Sequence, residues 1–230
     1  MKRKVLVVAC HPDDEILGCG GYFDKFKNEY KFKIIFLAEG SSCRYEDKAK
    51  YKKKIEKDIL YRKKCAIKAL KIFSITNISF FNYTCGQLNK VPQVDLNKII
   101  EKEIKVFKPD IILTHSNKDL NLDHKTISDS VMVATRPTKI KNIVSEIYSF
   151  EILSSTHWNF QSSFKPQYFI ELSKKNIMNK WKALKCYSSE ILKKPCPRSY
   201  HGIETLARFR GMQCGSNYAE SYEIIRYFSK

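Results

Sequence analysis

The sequence predicts an α/β fold: a doubly wound, mostly parallel sheet flanked by helices, in a single domain with an irregular C-terminal extension. Apolar runs typical of strands alternate with amphipathic segments typical of helices through the first 135 residues. The first run, residues 5–9, is unbroken and rich in Val, as expected for a strand buried on both faces of a parallel sheet. Polar clusters follow several predicted strands, and ligands bind at the carboxyl ends of strands in open α/β sheets. A doubly wound sheet with a binding site at these strand ends is therefore expected.

Four strands are predicted in the first half of the chain, each from a short apolar run. They are residues 5–9, 32–38, 77–81 and 110–114. The helices between and after them are predicted mainly from apolar residues at helical spacing. They are residues 18–27, 45–71, 96–107 and 125–134. Pro12 ends the first strand and Pro109 ends the third helix, because proline continues neither element.

Residues 136–230 are less regular. The strands predicted there are residues 143–152 and 168–172, the helices are 176–187 and 203–211, and an aromatic loop spans 154–160. No linker rich in Gly, Pro or Ser separates this part from residues 1–135. We therefore expect one domain over residues 1–230, in which residues 1–135 form the core that carries the polar strand ends and residues 136–230 complete the pocket.

The composition is typical of a globular protein, with 43% hydrophobic residues. No apolar run reaches the roughly 18 residues that a transmembrane helix needs. The basic start, Met1–Lys4, precedes an apolar run that is too short for a secretory signal. The eight cysteines contain no C-x-x-C pair. Without an export signal they indicate reduced thiols and a cytoplasmic location.

The formal net charge is +18. Binding to nucleic acid is not expected, because no nucleic-acid-binding module accompanies the charge. A membrane surface or a polyphosphate-bearing substrate would explain the charge. The remaining interpretation is a lysine-rich composition on solvated helix faces.

Two polar segments supply candidate metal ligands. His11 and Asp14 follow the first strand, and their spacing on a tight turn allows both side chains to face one centre. His124 comes from the cluster that follows the fourth strand. Two imidazoles and one carboxylate with an open position are the usual donor set of a catalytic zinc site. Asp13 then lies free to act as a general base on a water molecule, and Asp123 either orients an imidazole or caps the following helix.

Each segment also has a simpler interpretation. The acidic residues after Pro12 are favourable in the first turn of a helix, where they meet the helix dipole. The pair Asp123-His124 is more often a helix cap than a ligand pair. One shared site explains better why both segments follow strands in the same alternating pattern.

These segments resemble the signatures of the PIG-L/LmbE-like zinc deacetylases. Residues 9–21 resemble the family's Ala-His-Pro-Asp-Asp-Glu signature, and residues 114–124 resemble its second, Asp-His-terminated signature. The resemblance continues through residues 36–44, 134–137, 154–160, 195–199, 210–211 and 219–220. It implies a Rossmann-like fold and a zinc-dependent amide hydrolase that removes the acetyl group from an N-acetyl amino sugar. By the same resemblance His11, Asp14 and His124 would bind Zn²⁺.

The resemblance also implies that Asp13 is the general base and then the acid that protonates the leaving amine. Three positions depart from the family pattern. Asn121 stands where many relatives carry a second His, and it can donate a hydrogen bond but no proton. Thr84-Cys85-Gly86 stand where relatives often show Pro-Asp-Asn, so a carboxylate that would hold a sugar hydroxyl is missing. Cys196 replaces a His.

Asn121, Arg62 and Arg136 are the predicted substrate-binding residues. Arginines suit a phosphate-bearing carrier, such as a nucleotide diphosphate or a lipid phosphate, because a guanidinium binds phosphate in a bidentate manner. The simpler interpretation makes the arginines surface residues and Asn121 a turn residue.

The sequence thus predicts a zinc-dependent N-deacetylase of a nucleotide-, lipid- or glycoside-linked amino sugar in surface-glycan biosynthesis. One alternative is an amidohydrolase on another acylated amine, such as a precursor of a low-molecular-weight thiol. The other is a non-catalytic basic binding protein of the same fold. The expected partner is a small N-acetylated sugar. Peripheral membrane contact would follow from a lipid-linked substrate, and the sequence leaves a homo-oligomer open.

Overall fold

A computed structural model describes residues 2–137 and 143–229. Its seven strands form one sheet in the order β3-β2-β1-β4-β5-β7-β6. The strands are β1 (Arg3–Ala9), β2 (Tyr30–Ala38), β3 (Ile78–Tyr83), β4 (Ile111–His115), β5 (Glu146–Phe150), β6 (Tyr168–Glu171) and β7 (Ala219–Tyr227). The helices are α1 (Asp14–Phe26), α2 (Lys52–Lys71), α3 (Gln93–Phe107), α4 (Leu122–Ala134), α5 (Lys174–Leu184) and α6 (Tyr200–Cys214).

The first five strands of the chain are parallel, and the last two run antiparallel to their neighbours. Strand β1 pairs with β2 on one side and with β4 on the other, both in parallel register. Strand β7 pairs antiparallel with β5 and with β6. The strand order therefore reverses between β1 and β4. This reversal is the topological switch point, where open α/β sheets bind their ligands.

The sheet is covered by helices on both faces. Val5 and Val7 belong to the core on the face of α1, α2, α5 and α6. Leu6 and Val8 belong to the core on the face of α3 and α4. All four side chains are fully buried. The unbroken apolar run in the sequence reflects this burial of both faces, so the predicted α/β fold class is confirmed.

Helix α1 packs unusually close to the C-terminal half of the chain. A Cβ atom on Gly18 would lie 2.3 Å from the ring of Phe150, and one on Gly21 would lie 2.4 Å from Leu172. These glycines are therefore required by close approach. Glu220 of β7 accepts hydrogen bonds from the backbone N–H groups of Gly21 and Tyr22, at 2.7 Å each.

Several element boundaries differ from the sequence prediction. Helix α1 begins at Asp14 rather than at residue 18, so the acidic turn is part of the helix. Helix α2 begins at Lys52 rather than at residue 45. Strand β5 spans only five of the residues predicted for 143–152. Residues 138–142 of the predicted C-terminal part lie outside the described residues.

Strand β7 was not predicted at all. Its sequence carries Glu220 and Glu223, whose carboxylates are buried against partners from other elements. Glu220 contacts Lys180 of α5 at 2.7 Å, and Glu223 accepts a hydrogen bond from Ser116 at 2.9 Å. Inward-facing carboxylates conceal the apolar alternation by which a half-buried strand is recognised.

Candidate metal centre

The predicted ligands come together at the switch point of the sheet. His11 follows the end of β1, and Asp14 opens helix α1. His124 lies in the first turn of α4, which follows β4. Val8 of β1 pairs with Thr114 of β4, so the loops that follow these parallel strands meet.

The carboxylate of Asp14 lies between the two imidazoles. Its Oδ2 atom is 3.4 Å from Nδ1 of His11 and 3.3 Å from Nε2 of His124. The backbone N–H of His11 also donates to this oxygen, at 2.9 Å. All three side chains are buried. Two imidazoles and a carboxylate facing one another are a donor set that fits zinc.

A second carboxylate stands behind each imidazole. Nε2 of His11 lies 3.2 Å from Oδ2 of Asp123, and Nδ1 of His124 lies 3.3 Å from Oδ2 of Asp119. Such carboxylates fix the orientation of a metal-binding imidazole and raise its basicity. Asp123 thus takes the orienting position that was one of its two expected roles. Asp119 supplies the equivalent contact to His124, and its part in the site was not predicted.

Both outer carboxylates are held in place by their own hydrogen bonds. Asp123 accepts the backbone N–H of Leu88 at 3.0 Å and that of Gly86 at 2.5 Å. Asp119 accepts the hydroxyl of Thr156 at 2.6 Å. The loops after β3 and β5 therefore support the imidazoles from outside.

The electrostatics of the cluster favour a positive charge. Burial by itself would raise the pKa of Asp14, but His124 and His11 outweigh it and hold this pKa well below the usual range. Burial disfavours a charged His124, yet Asp14 and Asp119 raise its pKa to about 9. A divalent cation between the imidazoles would supply the positive charge that these carboxylates stabilise.

Unpartnered atoms in the site are consistent with a missing ligand. Nε2 of His124 lies 3.3 Å from Oδ2 of Asp14 without forming a hydrogen bond, and the buried Oδ1 of Asp13 has no hydrogen-bond partner among the described residues. Buried polar atoms are normally paired, so such atoms point to an ion, a water molecule or a substrate. The donor set therefore fits the metal that the sequence predicts.

His115 supports the site without being free to bind a metal. Its Nε2 accepts the backbone N–H of Cys10 at 2.9 Å, which occupies the lone pair. Its ring stacks on that of His124, with centroids 3.9 Å apart. Burial, together with the charge of His124, lowers the pKa of His115 to about 3, so the ring is neutral. His115 therefore packs against the candidate ligand His124.

Asp13 pairs with two arginines, whereas Asp14 contacts the imidazoles. Its φ of 129° is unusual for a residue other than glycine, and this strained turn directs neighbouring carboxylates to different partners. Oδ2 of Asp13 lies 2.7 Å from Nη1 of Arg198 and 3.0 Å from Nη2 of Arg62. Burial raises the pKa of Asp13, although the two arginines oppose the shift. One carboxylate oxygen is thus fixed and the other is left without a partner.

Arg62 is buried within the site and contacts the chain itself. Its guanidinium is buried and donates to the carbonyl oxygens of Pro12 at 2.9 Å and Gly40 at 2.7 Å. It also pairs with Glu190 at 3.0 Å. These contacts hold the loop of Asp13, whereas contact with a substrate stays a prediction. Arg198 and Glu190 were not predicted as site residues, although Arg198 falls in one of the family-like segments.

The other two predicted substrate-binding residues lie at opposite ends of α4. The side-chain oxygen of Asn121 accepts the backbone N–H of Asp123 at 2.9 Å, so Asn121 is the N-cap of this helix. Its location places it beside the cluster. Arg136 is exposed just beyond the last turn of α4. At about 1.5 Å per residue, the helix separates Arg136 from His124 by roughly 18 Å. The structure therefore does not bring Arg136 to the site.

Fold and site together define a Rossmann-like α/β protein with a cluster of His and Asp side chains, candidate metal ligands, at the switch point of its sheet. The model of the PIG-L family, described as GlcNAc-PI de-N-acetylase, matches residues 6–135 of this chain. This match covers more than half of the chain, so the chain belongs to the PIG-L family. None of the curated proteins matches it in sequence.

Solved structures share the fold over nearly the whole chain. The N,N'-diacetylchitobiose deacetylase of Pyrococcus horikoshii matches with a TM-score of 0.76 and 18% identity, covering 97% of this chain and 84% of that chain. GalB, the 4-carboxy-2-hydroxymuconate hydratase of Pseudomonas putida KT2440, matches with a TM-score of 0.73 and 20% identity, covering 99% of this chain and 98% of that chain. The A40926 pseudoaglycone deacetylase matches with a TM-score of 0.72 and 18% identity, covering 100% of both chains. At these identities the likeness shows the fold alone.

The described residues contain no helix that is both long enough and apolar enough to cross a membrane.

Proposed function

We propose that this PIG-L family protein is a zinc-dependent N-deacetylase of an acetylated amino sugar. The observation that supports this most directly is the arrangement of Asp13. Two arginines fix one of its oxygens, and the other is buried without a partner next to the ligand cluster. A carboxylate held in this way is suited to accept and return a proton.

His11, Asp14 and His124 are the residues that would hold the ion. When bound, zinc acts as a Lewis acid on an acetyl carbonyl and lowers the pKa of a water molecule to around 7. The carboxylates of Asp119 and Asp123 keep the two imidazoles oriented toward Asp14. The protein therefore supplies a preorganised donor set, so little rearrangement is needed when the ion binds.

Asp13 has the proton-transfer role in this proposal. Its free oxygen takes a proton from the attacking water, and the C–N bond of the acetamide then breaks. Asp13 returns that proton to the leaving nitrogen, so that acetate and a free amine are formed. Arg62 and Arg198 hold the other oxygen throughout, which keeps the carboxylate from rotating.

The substrate class rests on the family and on the solved structures of the same fold. The matching family is described as GlcNAc-PI de-N-acetylase, and two of the matching structures are named as deacetylases, one of N,N'-diacetylchitobiose and one of the A40926 pseudoaglycone. We propose an amino sugar linked to a nucleotide, a lipid or a glycoside, processed in the cytoplasm during surface-glycan biosynthesis. The net charge of +18 would favour an anionic carrier.

The same fold is compatible with another reaction of water. One matching structure is named as a hydratase, so the fold by itself does not establish amide hydrolysis. An amidohydrolase acting on another acylated amine, such as a thiol precursor, would use the same residues. A non-catalytic binding protein would not require a bound metal.

Incubation of the zinc-loaded protein with free and carrier-linked N-acetyl sugars, with measurement of released acetate, tests the proposal. We expect one metal ion per chain and stoichiometric release of acetate and free amine. A chelator should abolish the release, and added zinc should restore it. Stoichiometric zinc without acetate release from any N-acetyl sugar would contradict the proposed substrate class. Absence of tight metal binding would contradict the proposed function as a whole.

A further inference from the structure

Two cysteines outside the ligand set meet at the rim of the site. Cys43 lies in the short 3-10 helix Ser42–Arg44, after β2, and it is exposed. Cys85 follows the end of β3 and is buried. Their sulfur atoms are 2.9 Å apart. Because β2 and β3 are parallel neighbours, the loops at their carboxyl ends bring residues 42 positions apart into contact.

The backbone around both cysteines is fixed by one carboxylate. Glu39 accepts the backbone N–H of Cys85 at 2.9 Å and that of Ser42 at 3.0 Å. At Gly86 an added Cβ would lie 3.4 Å from the Cβ of Cys43, so the two loops are packed together. A disulfide has an S–S distance of about 2.05 Å. Closing the remaining gap of about 0.9 Å requires rotation of the two side chains so that their sulfur atoms approach each other.

We propose that Cys43 and Cys85 form a reversible disulfide that makes the metal centre sensitive to oxidants. With hydrogen peroxide as the oxidant, the exposed Cys43 sulfur attacks one peroxide oxygen. The O–O bond breaks, Cys43 becomes a sulfenic acid, and one water leaves. The sulfur of Cys85 then attacks the sulfur of Cys43, forms the S–S bond and releases a second water. Two thiols and one peroxide thus give one disulfide and two waters.

The disulfide would act on the metal centre through His11. The sulfur of Cys85 lies 3.4 Å from Nε2 of His11, the same nitrogen that faces Asp123. Turning this sulfur toward Cys43 removes a polar contact from the back of a metal-binding imidazole. Loss of such outer contacts costs on the order of tenfold in metal affinity or activity at the low end. This consequence rests on the proposed function, whereas formation of the bond does not.

The chain contains a matched control for the pair. Cys214 is also exposed, but it lies at the end of α6, where its sulfur contacts Gly211 and Ser216. It therefore reports the general reactivity of an exposed thiol in the same protein. Cys43→Ser and Cys85→Ser each remove one half of the pair, and Cys214→Ser removes the control thiol.

Treatment of the zinc-loaded protein with hydrogen peroxide, followed by alkylation and peptide mass mapping, tests the bond. We expect a crosslinked Cys43–Cys85 peptide that is lost in either Ser variant, persists in Cys214→Ser and separates with dithiothreitol. Free Cys43 and Cys85 under conditions that oxidise Cys214 would overturn the proposal. So would thiol protection that a chelator reverses and a reductant does not, because a bound metal would then explain the contact.

Deacetylase activity gives a separate readout of the effect on the site. We expect about a tenfold, dithiothreitol-reversible loss in the native protein and in Cys214→Ser, and no such loss in Cys43→Ser. A disulfide without any change in activity or zinc affinity would overturn the regulatory part. If no substrate is turned over, the proposed deacetylase function is contradicted. The zinc affinities of the oxidised and reduced protein then still test whether the disulfide affects the metal centre.

Discussion

Asp13 is the residue on which the proposed chemistry depends. Its neighbour Asp14 faces two imidazoles, whereas Asp13 faces two guanidinium groups. The sequence shows only three consecutive acidic residues, Asp13, Asp14 and Glu15. A positive φ at Asp13 separates their directions, and this backbone strain is offset by ion pairs with residues that lie 49 and 185 positions along the chain.

Asp13→Asn should leave zinc bound and slow deacetylation by on the order of 10²-fold or more, because a general base would be lost. Metal content by atomic absorption and acetate release give the two readouts. Asp129→Asn, at an exposed position on α4, is the matched control and should retain full activity. Unchanged turnover in Asp13→Asn would mean that another group takes the proton.

Glu15 predicts a pH dependence of stability. It is buried, where its carboxylate accepts the hydroxyl of Tyr187 and, at 2.8 Å, the backbone N–H of Asp13. Burial raises its pKa from 4.5 to about 8. Between these pH values the folded protein holds a proton that the unfolded chain has released, so stability falls as pH rises through this window.

Glu15→Gln should remove this pH dependence, since an amide does not titrate. In metal-free protein, we expect the free energy of unfolding of the variant, relative to that of the native protein, to increase from pH 5 to pH 8 by on the order of a few kcal/mol. Urea unfolding at several pH values measures the difference. Parallel pH curves for the two proteins would show that Glu15 is ionised throughout.

At the scale of single elements, the first turn of helix α4 supplies residues to the candidate metal site. Asn121 caps the helix, Asp123 contacts one imidazole, and His124 is itself a predicted ligand. The sequence predicts a helix over residues 125–134, after the polar cluster, and the structure adds polar residues of that cluster to its first turn. With Asn121 as its N-cap, the helix begins at Leu122.

Asn121→Ala should destabilise the protein by about 1 kcal/mol through loss of the N-cap, whereas Asn121→Ser should retain most of the stability. Chemical unfolding curves compare the two. Deacetylase kinetics then separate the roles of this residue. If Asn121 also contacts the substrate, the Ser variant will lose kcat/KM although its helix remains capped. Equal stability of the Ala variant and the native protein would contradict the capping role.

How far the elements can be predicted depends on where their partners lie. The apolar pattern predicts β1 and its neighbours because burial on both faces leaves a direct signature. It does not predict β7, since Glu220 and Glu223 are paired with residues distant in sequence. The candidate ligands lie in short motifs that the sequence shows directly. The roles of Asp119, His115 and Arg198 depend on contacts with residues of other segments, so the sequence does not indicate them.

At the scale of the whole molecule, the candidate metal centre joins loops from most of the parallel strands. Carboxylates at three positions, Asp14, Asp119 and Asp123, surround the two imidazoles within the buried site. Binding of a cation by the folded state alone stabilises that state by mass action. Metal content and thermal stability should therefore be linked.

Chelation of the metal should lower Tm, and zinc should restore it. Free zinc at about 100 times its Kd contributes about 2.7 kcal/mol, or roughly 5–10 °C for a chain of this size. His124→Gln should remove the zinc response, whereas His201→Gln, at an exposed position on α6, should keep it. A zinc-dependent Tm that survives in His124→Gln would locate the ion elsewhere.

The tight packing of α1 also bears on how the domain can be divided. The family match ends at residue 135, yet the helix that presents Asp14 has no room for side chains at Gly18 and Gly21, because Phe150 and Leu172 occupy that space. An isolated fragment of residues 1–137 would expose this glycine surface to water and lose the Glu220 anchor. We expect such a truncation to bind no metal, because the proposed ligands would then lack the C-terminal residues against which their helix packs.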